Sequence, residues 1–344
     1  MKKIVAVVLI AVLALIPLTA CGGGSGETIY VYNAGEYMDT TLNDEFTAKT
    51  GIRVIYDTFD TNESMYALLK GGNVHYDVVI PSDYMVGKML VEGMLTPLDF
   101  SKIPNYANIM DTFKDLSYDP DNAYSVPYLW GVLGIIYNTE MVSDPVDSWS
   151  ILWDEKYEGN ILMIGNQRDA VAIALKKLGY SLNSINEAEI LGAGSELKRQ
   201  KAILQGYFND QMYNKLEGES AAMGAYYSGD AMVMMQSNDK LKFAIPDEGS
   251  NFYVDAMCIP TCAQNVDAAH AYINFMLEAE SNKRNVEEVC GYTPNAETFK
   301  LLEADGSDMA VFPDEALMAK NELYIVLPDN VNELYNQVWT ELGQ

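Results

Sequence analysis

Residues 132–138 read VLGIIYN, and much later residues 251–260 read NFYVDAMCIP. Both are extended, largely apolar runs, and they are read as two crossings between lobes. The chain enters a second lobe at about Gly131 and returns at about Val254. Before the first crossing, short β-rich runs alternate with helical patterns: TIYVYN (28–33), TTLNDEFTAKTG (40–51), IRVIYDTF (52–59), NESMYALLKGG (62–72), YDVVIPS (76–82) and DYMVGKMLVEG (83–93). Strand–helix–strand alternation with continuous apolar strands predicts a mainly parallel sheet covered on both faces. Between the crossings a second series follows, with NILMIG (160–165), RDAVAIALKKLG and AAMGAYYSGDAMVMMQ. The expectation is an α/β protein of two lobes joined by two hinge strands, with residues 27–131 plus 255–301 in lobe 1 and 132–254 plus 302–344 in lobe 2. Ligand cavities favour such interfaces and the carboxyl ends of parallel strands.

Local signals set the helix limits. Asn62 is expected to cap a helix that Gly71 stops, and Gly51 and Gly93 to end the helices before them. Ser82 has two readings, as the cap of a helix starting at Asp83 or as a polar wall of a cleft.

The N-terminus opens on two lysines, continues apolar from Ile4 to Pro17, and closes on Leu18-Thr19-Ala20-Cys21. That order is a secretory signal over residues 1–20, and its apolar stretch is short of the ~20 residues that a spanning helix needs. LTAC resembles the bacterial lipobox, so Cys21 is expected to be lipidated and residues 21–26 to form a flexible Gly/Ser tether. The expected location is extracytoplasmic, anchored to the cell membrane through that lipid alone. With 49 acidic against 22 basic residues the formal charge is −27. Such a chain repels nucleic acid and anionic lipid and attracts cations.

An enzyme finds little support. There are two histidines, His75 and His270, and no nucleophile elbow, phosphate loop, dinucleotide fingerprint or zinc-protease motif. DPDNAYSVPYLW opens like a calcium loop but carries Tyr124 where glycine is required and Trp130 where glutamate is required. No metal site and no cofactor are expected. Cys258, Cys262 and Cys290 are too few for a disulfide framework, although an exported chain could still pair two of them. What remains is a set of aromatics and carboxylates at strand ends and crossings: Glu36, Tyr37, Tyr84, Asp169, Tyr227, Asp230, Tyr253, Asp255 and Tyr292. An alkylammonium ligand needs that mixture, since carboxylates take its charge-assisted hydrogen bonds and aromatic faces attract the cation while covering its methylenes.

TGIRVIYDTFDTNESMYALL, YDVVIPSDYMVGKMLVEGML, YSVPYLWGVLGIIYN, SWSILWDEKYEGNILM, ALKKLGYSLN, YINFML and GYTPN together resemble the substrate-binding lipoproteins of spermidine/putrescine ABC transporters, across the chain from about Thr28. The resemblance implies the two-lobed type II periplasmic-binding fold, capture of a polyamine, and delivery to an ABC permease, with no reaction catalysed. It implies that Tyr37, Tyr84, Tyr227, Tyr253 and Tyr292 pack around the ligand chain and that Ser82 is a polar wall. It implies that Asp255 falls where the family places a carboxylate on a ligand nitrogen and Asp169 where it places an acid at one end of the site, with Glu36 and Asp210 as looser matches. The chain departs from the family at Ala34, where tryptophan is usual, at Asn166, where a second acid is frequent, and at Tyr324, the nearest match to a glutamine. These departures leave open a different organic amine or a bulkier cation.

Overall fold

The computed structural model describes residues 26–35, 37–307 and 319–343. The leader, Cys21 and Glu36 lie outside the described residues. In the first part of the molecule β1 (Thr28–Ala34) lies between β2 (Arg53–Phe59) and the two-residue β3 (Val78–Val79), all parallel. Helices α1 (Thr41–Thr50), α2 (Asn62–Lys70) and α3 (Asp83–Val91) follow these strands in turn. The second part repeats the scheme, with β5 (Ile161–Ile164) between β6 (Leu204–Phe208) and β7 (Met223–Tyr227), again parallel. Its helices are α4 (Gln167–Lys177), α5 (Glu187–Lys201), α6 (Gln211–Glu217) and α7 (Ser228–Ser237).

Two long strands join the parts: β4 (Ser125–Asn138) and, after the short β8 (Leu241–Ala244), β9 (Phe252–Cys258). They run antiparallel to each other, and β9 also pairs β3. β4 changes partners midway. Ser125 to Val132 pair with β9, and Leu133 to Tyr137 pair with β7, while β8 pairs Ile135 to Asn138. The apolar interior divides at the same peptide: Val132 belongs to one buried cluster and Leu133 to another. All but one residue of β4 is buried, as expected of a strand covered on both faces. Pro127, which cannot donate to the ladder, sits where the β4–β9 register shifts.

After β9 the chain adds α8 (Val266–Met276), α9 (Ala279–Val289) and α10 (Ala296–Ala304) to the first cluster, then returns with α11 (Asp329–Leu342), whose Val331, Tyr335, Val338 and Leu342 complete the second. The two-lobed α/β expectation is therefore met.

The local chemistry differs in one place. Thr61, not Asn62, caps α2: its hydroxyl accepts from Ser64 N while the Ser64 hydroxyl accepts from Thr61 N, a reciprocal capping box. Asn62 is already helical, and its side chain turns to Ser82. Gly51 ends α1 at φ +77°, the left-handed conformation that glycine adopts freely. His270 is structural, its Nε2 accepting from Asp99 N, and His75 lies edge-on to Tyr30. The three described cysteines are free thiols.

Candidate functional site

A cavity of about 480 Å³ opens between the two parts, within the range of small-molecule sites. Its wall is made by the residues at and just past the ends of the parallel strands: Ala34 at the end of β1 and Gly35 after it, Asp60 and Thr61 after β2, Ser82 after β3, Asn166 after β5, Asp210 after β6, and Tyr227 at the end of β7. Side chains are placed there because strand order and direction put all six carboxyl ends on one side.

At one end stands Asp255, on β9. Its Oδ1 accepts from the Ser82 hydroxyl at 2.6 Å and its Oδ2 from the Tyr37 hydroxyl at 2.5 Å. Both donors are braced. Ser82 N donates to Asn62 Oδ1 and Asn62 Nδ2 donates to Ser82 Oγ. The Tyr37 carbonyl accepts from the Tyr128 hydroxyl and from Asn33 Nδ2, and Asn33 Oδ1 accepts from Ala34 N. The turn that begins with Ala34 is thus held by buried Asn33. Ser82 precedes α3 but makes no side-chain cap; its hydroxyl serves the carboxylate instead.

At the other end stands Asp169, in the first turn of α4, 3% exposed. Its Oδ2 accepts from the Tyr227 hydroxyl at 2.6 Å and its Oδ1 from the Tyr324 hydroxyl at 2.8 Å. Asn166 caps this helix through its Oδ1, which accepts from Arg168 N and Asp169 N, fixing the turn that presents the acid.

Between these ends lie aromatic rings. Tyr253 approaches Tyr227 edge-on at 5.5 Å, and Tyr84 approaches Tyr324 at 6.0 Å with its hydroxyl donating to Glu63. Tyr253 can lie where it does because residue 131 is glycine: a Cβ there would come within 2.3 Å of the Tyr253 hydroxyl oxygen. Asp210 and Asp230 border the cavity from α6 and α7, and Tyr213 donates to Asp230. Tyr292 does not border it. Its backbone exchanges hydrogen bonds with Trp130, which sets its ring beside the indole at 4.8 Å, one layer behind the wall.

The electrostatics are one-sided. Burial pushes the Asp169 carboxyl up to about 6 and raises Asp255 against the hydrogen bonds from Ser82 and Tyr37. Neither forms an ion pair with a described residue. Burial also raises Tyr37, Tyr84, Tyr227, Tyr253 and Tyr324 well above the usual phenol value, so these hydroxyls remain protonated donors. Several lining residues escape sequence reading, Asp83 and Arg168 among them. Asp83, fully buried under the Asp255 end, accepts from Val254 N and Tyr84 N, and burial holds its carboxyl well above the usual range. Arg168 packs its guanidinium 4.6 Å from the Tyr324 ring centroid. A signal existed for each, since both are charged residues next to a singled-out acid or tyrosine in a helix's first turn.

Such a site has the means to bind and orient a cation with an apolar body. A buried carboxylate already satisfied by two hydroxyls is costly without a counter-charge, and an ammonium supplies it. Among the described residues no cluster of histidine, cysteine and acids fits a metal ion.

Residues 41–313 match the model of the bacterial extracellular solute-binding protein family. The chain is 38% identical over 311 residues to the spermidine/putrescine-binding periplasmic protein of Salmonella typhimurium, covering 89% of this chain and 88% of that one. Among solved structures, the spermidine/putrescine ABC transporter substrate-binding protein PotD of Streptococcus pneumoniae superposes with a TM-score of 0.81 at 37% identity, over 92% of this chain and 98% of that one. The TpPotD lipoprotein of Treponema pallidum superposes with a TM-score of 0.84 at 28% identity, over 92% and 99%.

Proposed function

The chain belongs to the bacterial extracellular solute-binding protein family, and from that premise we propose that it captures a polyamine, spermidine or putrescine, between its lobes and delivers it to an ABC permease. The observation that carries this reading is the pair of buried carboxylates, Asp255 and Asp169, each clamped by two hydroxyl donors and neither in a salt bridge with a described residue. They face a tyrosine-lined cavity and complement an alkyl chain with an ammonium at each end. Each charge-assisted hydrogen bond contributes ~1.5–3 kcal/mol, and the rings add ~0.5–2 kcal/mol each while covering methylenes. The work is binding and closure: ligand stabilises the closed form by its differential affinity for it.

We place lobe 1 at 27–131 plus 255–301 and lobe 2 at 132–254 plus 302–344, with β4 and β9 as the hinge; the change of interior between Val132 and Leu133 supports the first boundary to within a residue, while Phe252, Val254 and Leu302 pack in the first interior and move the other two by a few residues. Ser82, Tyr37, Tyr84, Tyr227, Tyr253 and Tyr324 are the ligand wall in this reading, and Asp210 is an outer acid. No catalytic step is assigned: binding accounts for the roles given to Asp255, Asp169 and the tyrosines around them. Relatives named as periplasmic place the family outside the cytoplasm; for this chain the leader and the lipid on Cys21 supply export and anchoring.

A second reading, a bulkier organic amine, is favoured by Ala34 and Gly35, which leave the cavity wall open after β1. Calorimetric titration of the purified domain, freed of ligand by unfolding and refolding, separates the two. Saturable micromolar or tighter binding of spermidine or putrescine supports the first. Heat from bulkier amines alone replaces it with the second.

A further inference from the structure

The two ends of the cavity are built differently. Beside Ala34 the wall is open among the described residues: Gly35 is exposed, and apart from its chain neighbours no described atom lies within 4 Å of a Cβ placed there. Around Asp169 it is closed. Tyr324, 3% exposed, lies against Ala172 and Leu182, with Tyr84 edge-on to its ring. Behind it the Arg168 guanidinium is sandwiched between Tyr324 and Tyr335, at 4.6 and 5.2 Å from the ring centroids. Arg168 Nη2 donates to Asn183 Oδ1 at 2.9 Å and to the Ile325 carbonyl at 3.5 Å. Asn183 in turn donates to the Leu323 carbonyl and accepts from Ile325 N. The segment carrying Tyr324 is therefore pinned on both sides of the ring.

We propose that Tyr324, backed by Arg168, is a specificity-determining end-stop: the cavity accepts amines that place an unsubstituted terminal ammonium on Asp169, and substituents are tolerated only toward Ala34 and Gly35. This rests on the amine-capture reading. The chemistry is that of the acid's remaining valence. A carboxylate has roughly four acceptor positions, and the two phenols use one on each oxygen, so an ammonium with three N–H donors can take the rest. An N-methylated nitrogen has fewer donors, and its methyl groups would run into the Tyr324 ring. A further cationic nitrogen beyond Asp169 would meet the guanidinium of Arg168. Arg168 Nε is buried without a partner, and the guanidinium is held there by stacking on Tyr324 and Tyr335 and by the hydrogen bonds of Nη2.

The test titrates the full mature domain with putrescine and with N,N,N′,N′-tetramethylputrescine, which blocks both ends, and compares wild type with Tyr324→Phe and Tyr324→Ala. Wild type is expected to discriminate strongly for putrescine. Tyr324→Phe keeps the bulk, so both affinities fall but their ratio holds. Tyr324→Ala opens the end, and the ratio narrows about tenfold or more, a change of about 1.4 kcal/mol in relative binding. Thermal unfolding of each variant shows that it is folded. Equal weakening of both ligands by Tyr324→Ala overturns the end-stop, as does a wild type that binds both equally, and in either case amine capture still stands. No binding of either amine by folded wild type overturns both.

Discussion

Asp255 and Asp169 are both buried acids with two hydroxyl donors, yet they are assembled from opposite materials. Asp255 sits on a hinge strand, and its donors, Ser82 and Tyr37, sit just past the ends of β3 and β1 in the same apolar cluster. Asp169 sits in a capped helical turn, and its donors come from the end of β7 and from an irregular segment late in the chain. The two donors of each acid are in place without ligand, and Tyr84 from the first part reaches Tyr324 beside Asp169. A ligand that spans them joins two sites already organised and spends its binding energy on closure rather than on local ordering.

The sharpest way to break this comparison is Asp255→Asn. It removes the charge while Ser82 and Tyr37 stay in place, and polyamine affinity measured by calorimetry should fall by ~10- to 150-fold, the range of one charged hydrogen bond. Asp169→Asn should cost less at pH 7.5, about tenfold, because Arg168 already offsets part of that carboxylate's charge. If the two losses are equal, the ends do not differ in the way their construction implies.

The third prediction uses pH. The groups facing Asp169 are Tyr227, Tyr324, Tyr84, Arg168 and Glu63. Its folded carboxyl titrates at about 6, above the ~3.9 of a free aspartate. Between those values the folded state holds more protons than the unfolded, so the stability of the unliganded protein falls as pH rises through that window. A bound ammonium favours the charged form, so affinity should drop several-fold between pH 7.5 and 5, and Asp169→Asn should flatten that slope. A pH slope that survives in Asp169→Asn would assign the titration elsewhere.

Gly131→Ala should then lower affinity a few-fold by pushing the Tyr253 hydroxyl, with a smaller change in unfolding midpoint than in binding. The smallest effect is expected from Ser82→Ala. If Ser82 were a helix cap, its loss would cost ~1 kcal/mol of stability. Since its hydroxyl is bound to Asp255, the loss should appear in affinity and leave the midpoint almost unchanged.

Sequence reading reached the Asp255 end more fully than the Asp169 end, for a physical reason. Strand ends follow from short-range apolar patterning, so Tyr37, Ser82, Tyr227, Tyr253 and Asp255 could be singled out from runs of a few residues. Tyr324 lies in no periodic segment, and its place is set by two residues from distant parts of the chain, Asn183 on the flanking backbone and Lys176 on Glu322. Tyr292 carried the same apparent signal as the wall tyrosines, but its pairing with Trp130 puts it behind them, and pairing partners are not visible in one strand's pattern. Asp83 reads as an ordinary first-turn acid, and only the fold shows that β9 covers it. Asn62 was a reasonable cap by composition; the hydroxyl one residue earlier won because Ser64 could reciprocate.

The helix α11 supplies Val331, Tyr335, Val338 and Leu342 to the second interior, although most of that interior is encoded between residues 133 and 241. A polypeptide emerging N-terminus first can close its first interior once residue 302 has appeared. The second stays unfinished until α11 has followed, so in that order of emergence the two interiors close at different times, the one that holds Asp255 before the one that holds Asp169.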